Sequence, residues 1–386
     1  MLCLWPFRHV SIDQNGNFRP CCSWRHTDFI KKYTDVPLVN FNTHSIQDYI
    51  DSKFLGTIQD HMKKDQWPKG GCSDCMNEVS TSRAPGALLN YGFEKYKMGE
   101  TFAIQDMEIK FGNKCNLGCV MCSPSCSSLL ENEGIQNQKQ IERYGFDVEL
   151  PSKKYDQLWF ERDDKMQELA NLAKHTKLIR FTGGEPTVNG YLRNFLQYLK
   201  KHTTDIDIKL TTNGFKIPDS LLEVVNDFKS VWFDFSIDGY GKVNEFVRWP
   251  SVWNNICKNI EKVSTLDNSH ISVKTTMHAM NVRDVGNICA WVENNDNIYE
   301  WDLNIVWEPL HLRPCLASEE SKEIFKDDIK KFQTMDGKCS AIKSGIDVLT
   351  SKWSTQETEK HREKLDKYLN MLSSIRKVDW KEYIKV

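Results

Sequence analysis

Strand-like and helix-like segments alternate along the sequence from about residue 107 onward. Six short runs rich in β-branched and aromatic residues predict strands at 107–111, 178–182, 206–211, 231–237, 271–277 and 303–307. Amphipathic stretches predict helices at 164–175, 190–202, 218–228, 252–265 and 284–294. Because such alternation requires right-handed crossovers between parallel strands, the predicted fold class is α/β. Six strands suit a partial (β/α)6 TIM-like barrel rather than a complete eightfold one.

The first hundred residues have a different pattern. Asn15-Gly16 separates two strand-like segments, 7–12 and 17–20, and predicts a β-hairpin with a two-residue turn. An amphipathic stretch at 45–64 predicts a helix. We therefore predict a small hairpin-plus-helix module over 1–100, the barrel over 101–317 and a helical extension over 318–386. The module has too little apolar material to fold alone, and a bound metal is the usual remedy at that size.

The charge balance excludes some classes of partner. The sequence has 51 Lys and Arg against 53 Asp and Glu, a formal charge of −2, so no overall field attracts nucleic acid or an anionic membrane. No apolar run approaches the roughly 18–20 residues of a membrane span, and the first residues lack the pattern of a signal peptide. The sequence thus predicts a cytoplasmic protein with neither nucleic acid nor membrane as a partner.

The cysteines are concentrated in the first third of the chain. Of the 13 cysteines, three lie on one loop directly after the first barrel strand, in the spacing Cys115-x3-Cys119-x2-Cys122. Structural zinc prefers four ligands, whereas three clustered thiolates leave one corner of a cubane iron–sulfur cluster without a protein ligand. An open iron corner is a place where another molecule can bind.

Further polar motifs follow the next strands in order. They are Thr182-Gly183-Gly184-Glu185-Pro186, Thr211-Thr212-Asn213-Gly214 and Ser236-Ile237-Asp238-Gly239, with Arg248 ten residues after Asp238. Each motif is predicted at the carboxyl end of its strand, which is where parallel α/β sheets bind their ligands. The sequence therefore predicts that these motifs form one ligand-binding site at the carboxyl ends of the strands.

The cysteine loop and these motifs, in this order, resemble the radical S-adenosylmethionine (radical SAM) superfamily. The resemblance implies a [4Fe–4S] cluster on Cys115, Cys119 and Cys122, with its fourth iron chelated by the amino and carboxylate groups of SAM. It also implies SAM contacts from Met121, Gly183, Gly184, Glu185, Asn213, Ser236, Asp238 and Arg248. In these contacts Glu185 suits the ammonium group, Asn213 and Ser236 the ribose, and Arg248 the carboxylate. Many members have an aromatic residue where this chain has Met121, whose thioether can still cover one face of adenine.

The amino-terminal cysteines resemble the SPASM/twitch elaboration of the same superfamily. That module usually follows the barrel, but here it precedes it, as in a group of twitch proteins with this sequence order. The resemblance implies an auxiliary [4Fe–4S] cluster bound by Cys3, Cys21, Cys72 and Cys75, with Cys22 as an alternative to Cys21. A four-cysteine zinc knuckle is the competing interpretation, because its spacing is equally compatible.

The resemblance implies an enzyme that cleaves SAM reductively to a 5′-deoxyadenosyl radical, which removes hydrogen from an unactivated C–H bond. The reductant expected is a flavodoxin or ferredoxin. We expect oxidation or modification of a small molecule or a peptide. The alternatives are crosslinking or epimerisation of a ribosomal peptide, for which Cys315 could donate hydrogen, and a non-catalytic iron–sulfur or zinc scaffold. His278 and His311, which follow the last two strands, are candidate bases or structural histidines.

Overall fold

The computed structural model describes residues 3–22, 24–73, 104–148, 150–151, 155–332, 337–350 and 353–386. Its central element is one eight-stranded sheet with the spatial order β2-β1-β3-β4-β5-β6-β7-β8. The strands are β1 His9–Ile12, β2 Phe18–Arg19, β3 Asp106–Ile109, β4 Leu178–Phe181, β5 Asp207–Thr212, β6 Ser230–Ser236, β7 Ser269–Met277 and β8 Glu300–Ile305.

The six strands predicted for the barrel are β3 to β8, and they lie side by side in chain order. Every neighbouring pair among them is parallel. Helices fill the crossovers between most of these strands, as right-handed parallel connections require. The predicted α/β class and the partial six-stranded barrel are therefore confirmed.

The five helices predicted for the barrel form with ends within a few residues of the predicted ones. The α-helices are α1 Trp5–Arg8, α2 His26–Ile30, α3 Ile46–Ile50, α4 Lys53–Lys63, α5 Ser128–Arg143, α6 Asp163–Ala173, α7 Gly190–Lys200, α8 Asp219–Val225, α9 Lys242–Val247, α10 Trp253–Ser264, α11 Val285–Glu293, α12 Glu319–Phe332 and α13 Thr355–Arg376. Short 3-10 helices lie at Trp159–Glu161, Pro186–Val188, Val282–Asp284, Leu310–Leu312, Pro314–Leu316, Ser340–Val348 and Trp380–Glu382.

The helix predicted over 45–64 is two helices. The Ser52 side chain accepts a hydrogen bond from the Leu55 amide and begins α4, so α3 ends before it. A serine in this position satisfies an otherwise unpaired amide of the first helical turn. The periodicity of apolar residues continues across the break, which is why the pattern predicts one helix.

The amino-terminal hairpin forms with a different turn from the predicted one. The Asp13 amide donates to the Asn17 carbonyl, and the Gly16 amide donates to the Asp13 carbonyl. Three residues therefore form the loop, and Gly16 has a φ of +77°. A three-residue hairpin loop with glycine in the left-handed region is the next commonest solution after the two-residue turn.

Strand β1 extends the barrel sheet, a contact that the sequence did not predict. It pairs in parallel with β3, with His9 opposite Asp106 and Ile12 opposite Ile109. At this junction His9 Nδ1 lies 2.9 Å from Asp106 Oδ1, and Arg180 also donates to the Asp106 carboxylate. The hairpin is thus continuous with the barrel sheet.

The hairpin and the barrel share one hydrophobic core. Phe18 of β2 stacks on Tyr49, and Phe41 packs against Trp159, which contacts Phe111 beyond β3. Trp159 is fully buried. The predicted boundary at residue 100 falls outside the described residues and stays a prediction.

A second apolar cluster lies at the carboxyl edge of the sheet. Leu365, Leu369 and Leu372 of α13 pack there with Val120 and Val247. The carboxyl-terminal helix therefore covers part of the edge where the predicted site lies. Within the described part of the chain, no helix combines the length and apolar composition needed to span a membrane.

Candidate functional site

The cysteine loop follows β3 and leads into α5. The Cys115 amide donates to Ser128 Oγ at 3.1 Å, and Ser127 Oγ donates to the Leu117 carbonyl at 2.6 Å. Ser127 also begins α5, because its hydroxyl accepts from the Leu130 amide. The loop is therefore anchored at the start of the helix that follows it.

The loop carries three thiols that differ in exposure. Cys115 is half-buried, Cys119 is buried and Cys122 is exposed, and none of the three forms a disulfide. Burial raises the pKa of Cys115 to about 12, and it also raises the pKa of Cys119. In the unliganded loop these two thiols hold their protons at neutral pH, so binding of a metal cluster must release protons.

Arg248 lies next to Cys119. Its Nη1 is 3.8 Å from the Cys119 sulfur, and its Nη2 is 2.6 Å from Asp238 Oδ2. Burial raises the pKa of Asp238, and the Arg248 charge opposes that shift. Among the described residues, Arg248 Nε has no hydrogen-bond partner although it is buried. A buried guanidinium with an unused N–H can donate a hydrogen bond to a further, anionic ligand.

Several hydrogen-bond donors surround the Glu185 carboxylate. Its Oε1 accepts from the amide and hydroxyl of Thr187 and from Thr212 Oγ1, while its Oε2 accepts from the Asn213 amide at 2.6 Å. Burial raises the pKa of this carboxyl, and these donors oppose the shift. A carboxylate has about four lone-pair sites, so Oε2 can still accept from one more donor.

Gly183 and Gly184 bring β4 against the cysteine loop. Gly184 has a φ of +53°, and a Cβ there would lie 2.5 Å from the Lys114 carbonyl oxygen. The next amide, that of Glu185, donates to the same carbonyl at 2.8 Å. The glycine therefore permits a close approach of two protein backbones, and the SAM contacts of Gly183 and Gly184 stay a prediction.

The residues predicted to contact ribose and adenine lie near the same edge. The Asn213 side chain donates to Asn116 Oδ1 at 2.9 Å and lies 3.9 Å from the Cys115 sulfur. Ser236 is the last residue of β6, and it is half-buried. Met121 is half-buried against the apolar cluster under α13. Asn213 thus faces the cysteine loop in this structure, and its ribose contact stays a prediction.

The two candidate histidines are buried beside this edge. His278 is fully buried and accepts at Nδ1 from the Met280 amide at 3.3 Å. Burial and then the Arg248 charge lower the pKa of His278 to about 3, so it is neutral at ordinary pH. Burial also lowers the pKa of His311, to about 4. A neutral buried imidazole can serve as a hydrogen-bonding group or a base.

The amino-terminal cysteines lie toward the opposite end of the sheet. Strand β2 runs antiparallel to β1, so Cys21 follows it near the amino end of the parallel strands. Cys3, Cys21 and Cys72 are half-buried and pack against the core, whereas Cys22 is exposed. The fourth predicted ligand, Cys75, lies outside the described residues.

Two contacts to the cysteine loop were not predicted from the sequence. Tyr368 and Arg376 of α13 donate to the carbonyl oxygens of Val120 and Gly118. The sequence predicts only a helical extension over 318–386. Nothing in its sequence indicates the cysteine loop as the partner.

The donor set fits an iron–sulfur cluster with one open corner. Three soft thiolates suit iron, and the unused N–H of Arg248 and the remaining Oε2 position of Glu185 suit the two charged ends of an amino acid. Across the described residues, no three Cys, His, Asp or Glu side chains are gathered as ready metal ligands. A bound cluster therefore requires the three thiols to turn toward one centre.

Two family models match the sequence. The model of the radical SAM superfamily matches residues 109–292, and the model of the SPASM iron–sulfur cluster-binding domain matches residues 3–76. No curated protein matches the sequence.

Several solved structures are similar to this chain. Streptococcus suis SuiB bound to the precursor peptide SuiA is 12% identical, with 67% of this chain and 59% of that chain covered and a TM-score of 0.39. The structure of anSMEcpe with bound AdoMet and the Kp18Cys peptide is 16% identical, with 60% and 61% covered and a TM-score of 0.42. Escherichia coli HemN, the coproporphyrinogen III oxidase, is 12% identical, with 60% and 52% covered and a TM-score of 0.37. The chain thus spans 59% of the length of SuiB, and a likeness of this size says nothing about its substrate.

The radical SAM match lies on the α/β partial barrel. Residues 109–292 are thus a radical SAM domain, and a SPASM domain precedes it over residues 3–76. The radical SAM domain binds S-adenosylmethionine and a [4Fe–4S] cluster, and the SPASM domain binds auxiliary iron–sulfur.

Proposed function

We propose that this protein is an enzyme that cleaves SAM reductively and removes a hydrogen atom from an unactivated C–H bond of a small molecule or a peptide. One observation carries the proposal. Three thiols of a single loop lie at the carboxyl edge of the sheet beside a buried arginine and a buried glutamate. A purely structural metal site has no use for groups that match both ends of an amino acid zwitterion.

The cysteine loop holds the catalytic cluster in this proposal. Cys115, Cys119 and Cys122 bind three irons, which leaves the fourth iron for the amino and carboxylate groups of SAM. When bound, the cluster supplies an electron and SAM supplies the 5′-deoxyadenosyl radical, so the cofactors provide the difficult chemistry. The chain itself binds the cluster and SAM, orients them, and excludes water from the site.

Arg248 binds the SAM carboxylate in this proposal. Its Nη2 stays with Asp238, which orients the guanidinium, and its buried Nε is available to the ligand. The position of Nη1 near the Cys119 sulfur places the cation next to a predicted iron ligand. A guanidinium suits this task because its planar set of donors can serve two acceptors at once.

Glu185 orients the ammonium group. The Thr187, Thr212 and Asn213 donors hold the carboxylate in one rotamer, and Oε2 keeps one acceptor position. Because those donors stabilise the charged form in a buried place, the carboxylate can pair with a cation there. Asn213 and Ser236 are proposed to contact the ribose, and Met121 the adenine.

The auxiliary cluster is proposed to lie on Cys3, Cys21, Cys72 and Cys75. The half-buried positions of Cys3, Cys21 and Cys72 support this assignment over one that uses the exposed Cys22. A fully ligated cluster held there would relay electrons or maintain the shape of the module. A flavodoxin or ferredoxin is the proposed source of electrons for the first step.

Anaerobic reconstitution tests the proposal. The wild-type chain should hold about eight irons and eight sulfides, as two [4Fe–4S] clusters require. With SAM and a low-potential reductant it should form 5′-deoxyadenosine. A Cys115→Ser variant should form none, while Cys257→Ser, which changes a half-buried thiol on α10, should behave as wild type.

The substrate is identified in the same assay. Transfer of deuterium into 5′-deoxyadenosine from separate pools of labelled peptides, sugars and nucleotides names the class that donates hydrogen. An iron content of about four with bound zinc would contradict the auxiliary cluster. Absence of SAM cleavage with every pool would contradict the enzyme assignment.

A further inference from the structure

The carboxyl-terminal helix α13 contacts the cysteine loop at two backbone positions. The Tyr368 hydroxyl donates to the Val120 carbonyl oxygen at 2.7 Å. Arg376 Nη2 donates to the Gly118 carbonyl oxygen at 2.8 Å. Gly118 and Val120 are the residues on either side of Cys119, so both contacts act on the same predicted ligand.

The backbone amides of Gly118 and Val120 are hydrogen-bonded to a second segment, residues 247–249. The Gly118 amide donates to the Trp249 carbonyl at 2.6 Å, and the Val120 amide donates to the Val247 carbonyl at 2.9 Å. The peptide around Cys119 therefore lies between the segment that carries Arg248 and the helix α13. Removing either side leaves buried backbone groups without partners, which is unfavourable.

Arg376 is buried more deeply than a surface arginine. Its side chain is 1% exposed and forms an ion pair with Glu133 of α5, with 3.0 Å between Arg376 Nη2 and Glu133 Oε1. Its Nε donates to Glu133 Oε2 at 3.1 Å. Its Nη1 is buried and has no hydrogen-bond partner among the described residues. A buried N–H without a partner is unfavourable, so this atom can donate to a further acceptor.

Arg376 brings a second buried cation close to the cysteine loop. Its Nη2 donates to the carbonyl oxygen of Gly118, the residue before Cys119, while Arg248 Nη1 lies 3.8 Å from the Cys119 sulfur. Both cations favour negative charge on a group bound at this loop.

We propose that α13 is part of the cluster site, with Tyr368 and Arg376 as positioning residues that fix the peptide of Cys119. This inference rests on the proposed function, since it assumes a cluster on the cysteine loop. It assigns a role to the segment 318–386, to which neither matched family model extends.

The test uses the full-length chain reconstituted under anaerobic conditions. The variants are Tyr368→Phe, Arg376→Lys and the double variant Arg376→Gln/Glu133→Gln, which removes both members of the buried ion pair and leaves no charge unpaired. The matched control is Arg362→Gln, which changes an arginine of the same helix whose side chain is 47% exposed. The two readouts are the rate of iron loss to a chelator and the reduction midpoint and electron paramagnetic resonance signal of the loop cluster.

We expect each lost hydrogen bond to speed iron loss by about fivefold, the equivalent of a typical net hydrogen bond. Tyr368→Phe should therefore lose iron about fivefold faster than wild type, and the double variant faster still. Arg376→Lys should keep the midpoint, because it keeps the charge, and the double variant should shift it only slightly, because it removes one positive and one negative charge together. Arg362→Gln should match wild type in both readouts.

The two possible failures are distinguishable. If wild type forms the loop cluster and Tyr368→Phe, with unchanged helix content, loses iron at the wild-type rate and gives the wild-type signal, the role of α13 is overturned. If the double variant unfolds, Tyr368→Phe still decides, because it removes a single hydroxyl. If wild type itself forms no cluster on the cysteine loop, the proposed function fails, and the inference falls with it.

Discussion

Arg248 and Asp238 form a buried ion pair, with 2.6 Å between Nη2 and Oδ2, beside the sulfur of Cys119. The Asp238 side chain is completely buried and that of Arg248 is 10% exposed. The pair joins the end of β6 to the residue that follows α9. It thereby holds the predicted carboxylate-binding cation in place before any ligand arrives.

Removal of Arg248 alone should destabilise the protein. Arg248→Met leaves the Asp238 carboxylate buried without a counter-charge, and we expect a loss of about 3–5 kcal/mol in the free energy of unfolding. The double variant Arg248→Met/Asp238→Asn should recover most of this loss, yet neither protein should bind SAM tightly. Urea unfolding and equilibrium dialysis with SAM measure the two effects. Equal instability of the single and double variants would show that the pair is not the source of the effect.

Gly184 should not tolerate a side chain. Its φ of +53° is unfavourable for alanine, and the Cβ would lie 2.5 Å from the Lys114 carbonyl oxygen. We expect Gly184→Ala to lower the free energy of unfolding by about 2 kcal/mol or more and to weaken iron retention on the loop. Gly56→Ala is the control, since no atom lies within 4 Å of its Cβ position on helix α4. That control should be neutral or stabilising by about 1 kcal/mol. Tolerance of alanine at position 184 would contradict the backbone contact.

His278 should make the protein sensitive to acid. Its pKa is lowered by burial to about 3 in the folded chain, whereas an unfolded histidine has a pKa of about 6.5. The unfolded state therefore binds more protons between these values, and stability falls as the pH drops below about 6.5. Between pH 7.5 and 5.5 we expect His278 to account for a loss of about 1.4 kcal/mol.

His278→Asn isolates this contribution. The asparagine oxygen can replace Nδ1 as the acceptor for the Met280 amide, and it does not titrate. Urea midpoints at pH 7.5 and 5.5 should show a smaller pH dependence in the variant, whatever its absolute stability. An unchanged difference between the two pH values would indicate that His278 is not held neutral.

The two adjacent amino-terminal cysteines should differ in their effect on the auxiliary cluster. Cys21 is half-buried and packs against the core near Tyr49, whereas Cys22 is exposed. Cys21→Ser should therefore lose about four irons per chain, and Cys22→Ser should lose none. Iron and sulfide analysis after identical reconstitution measures this. The reverse outcome would assign the ligand to Cys22.

The parallel sheet was predictable because its signals are local. Alternating apolar residues determine β4 to β8, and the polar motifs after these strands meet at one edge because parallel strands end at the same edge. The positions of the three loop cysteines, Glu185 and Arg248 follow from that rule. The pairing of β1 with β3 could not be predicted this way, since 93 residues separate Ile12 from Asp106 and only tertiary packing selects the contact.

Other features of the site depend on partners distant in sequence. The donors to Glu185 come from Thr187 and from Thr212 and Asn213 at the end of β5, and they leave one acceptor position on a carboxylate that the motif alone suggests is fully open to ligand. The contact of Arg376 with Gly118 joins residues 258 apart. A motif predicts which residues can contact a ligand. It does not predict which other groups of the protein form hydrogen bonds with the same atoms of those residues.

Electron paramagnetic resonance of a protein that carries only the loop cluster tests the central claim most directly. Replacement of Cys3, Cys21, Cys72 and Cys75 by serine should leave about four irons, held by Cys115, Cys119 and Cys122. On reduction this protein should give a cubane signal that changes when SAM is added, because SAM occupies the open iron. A reduced signal that SAM does not alter, or no cubane signal at all, would contradict the assignment of the cysteine loop as the SAM-binding cluster site.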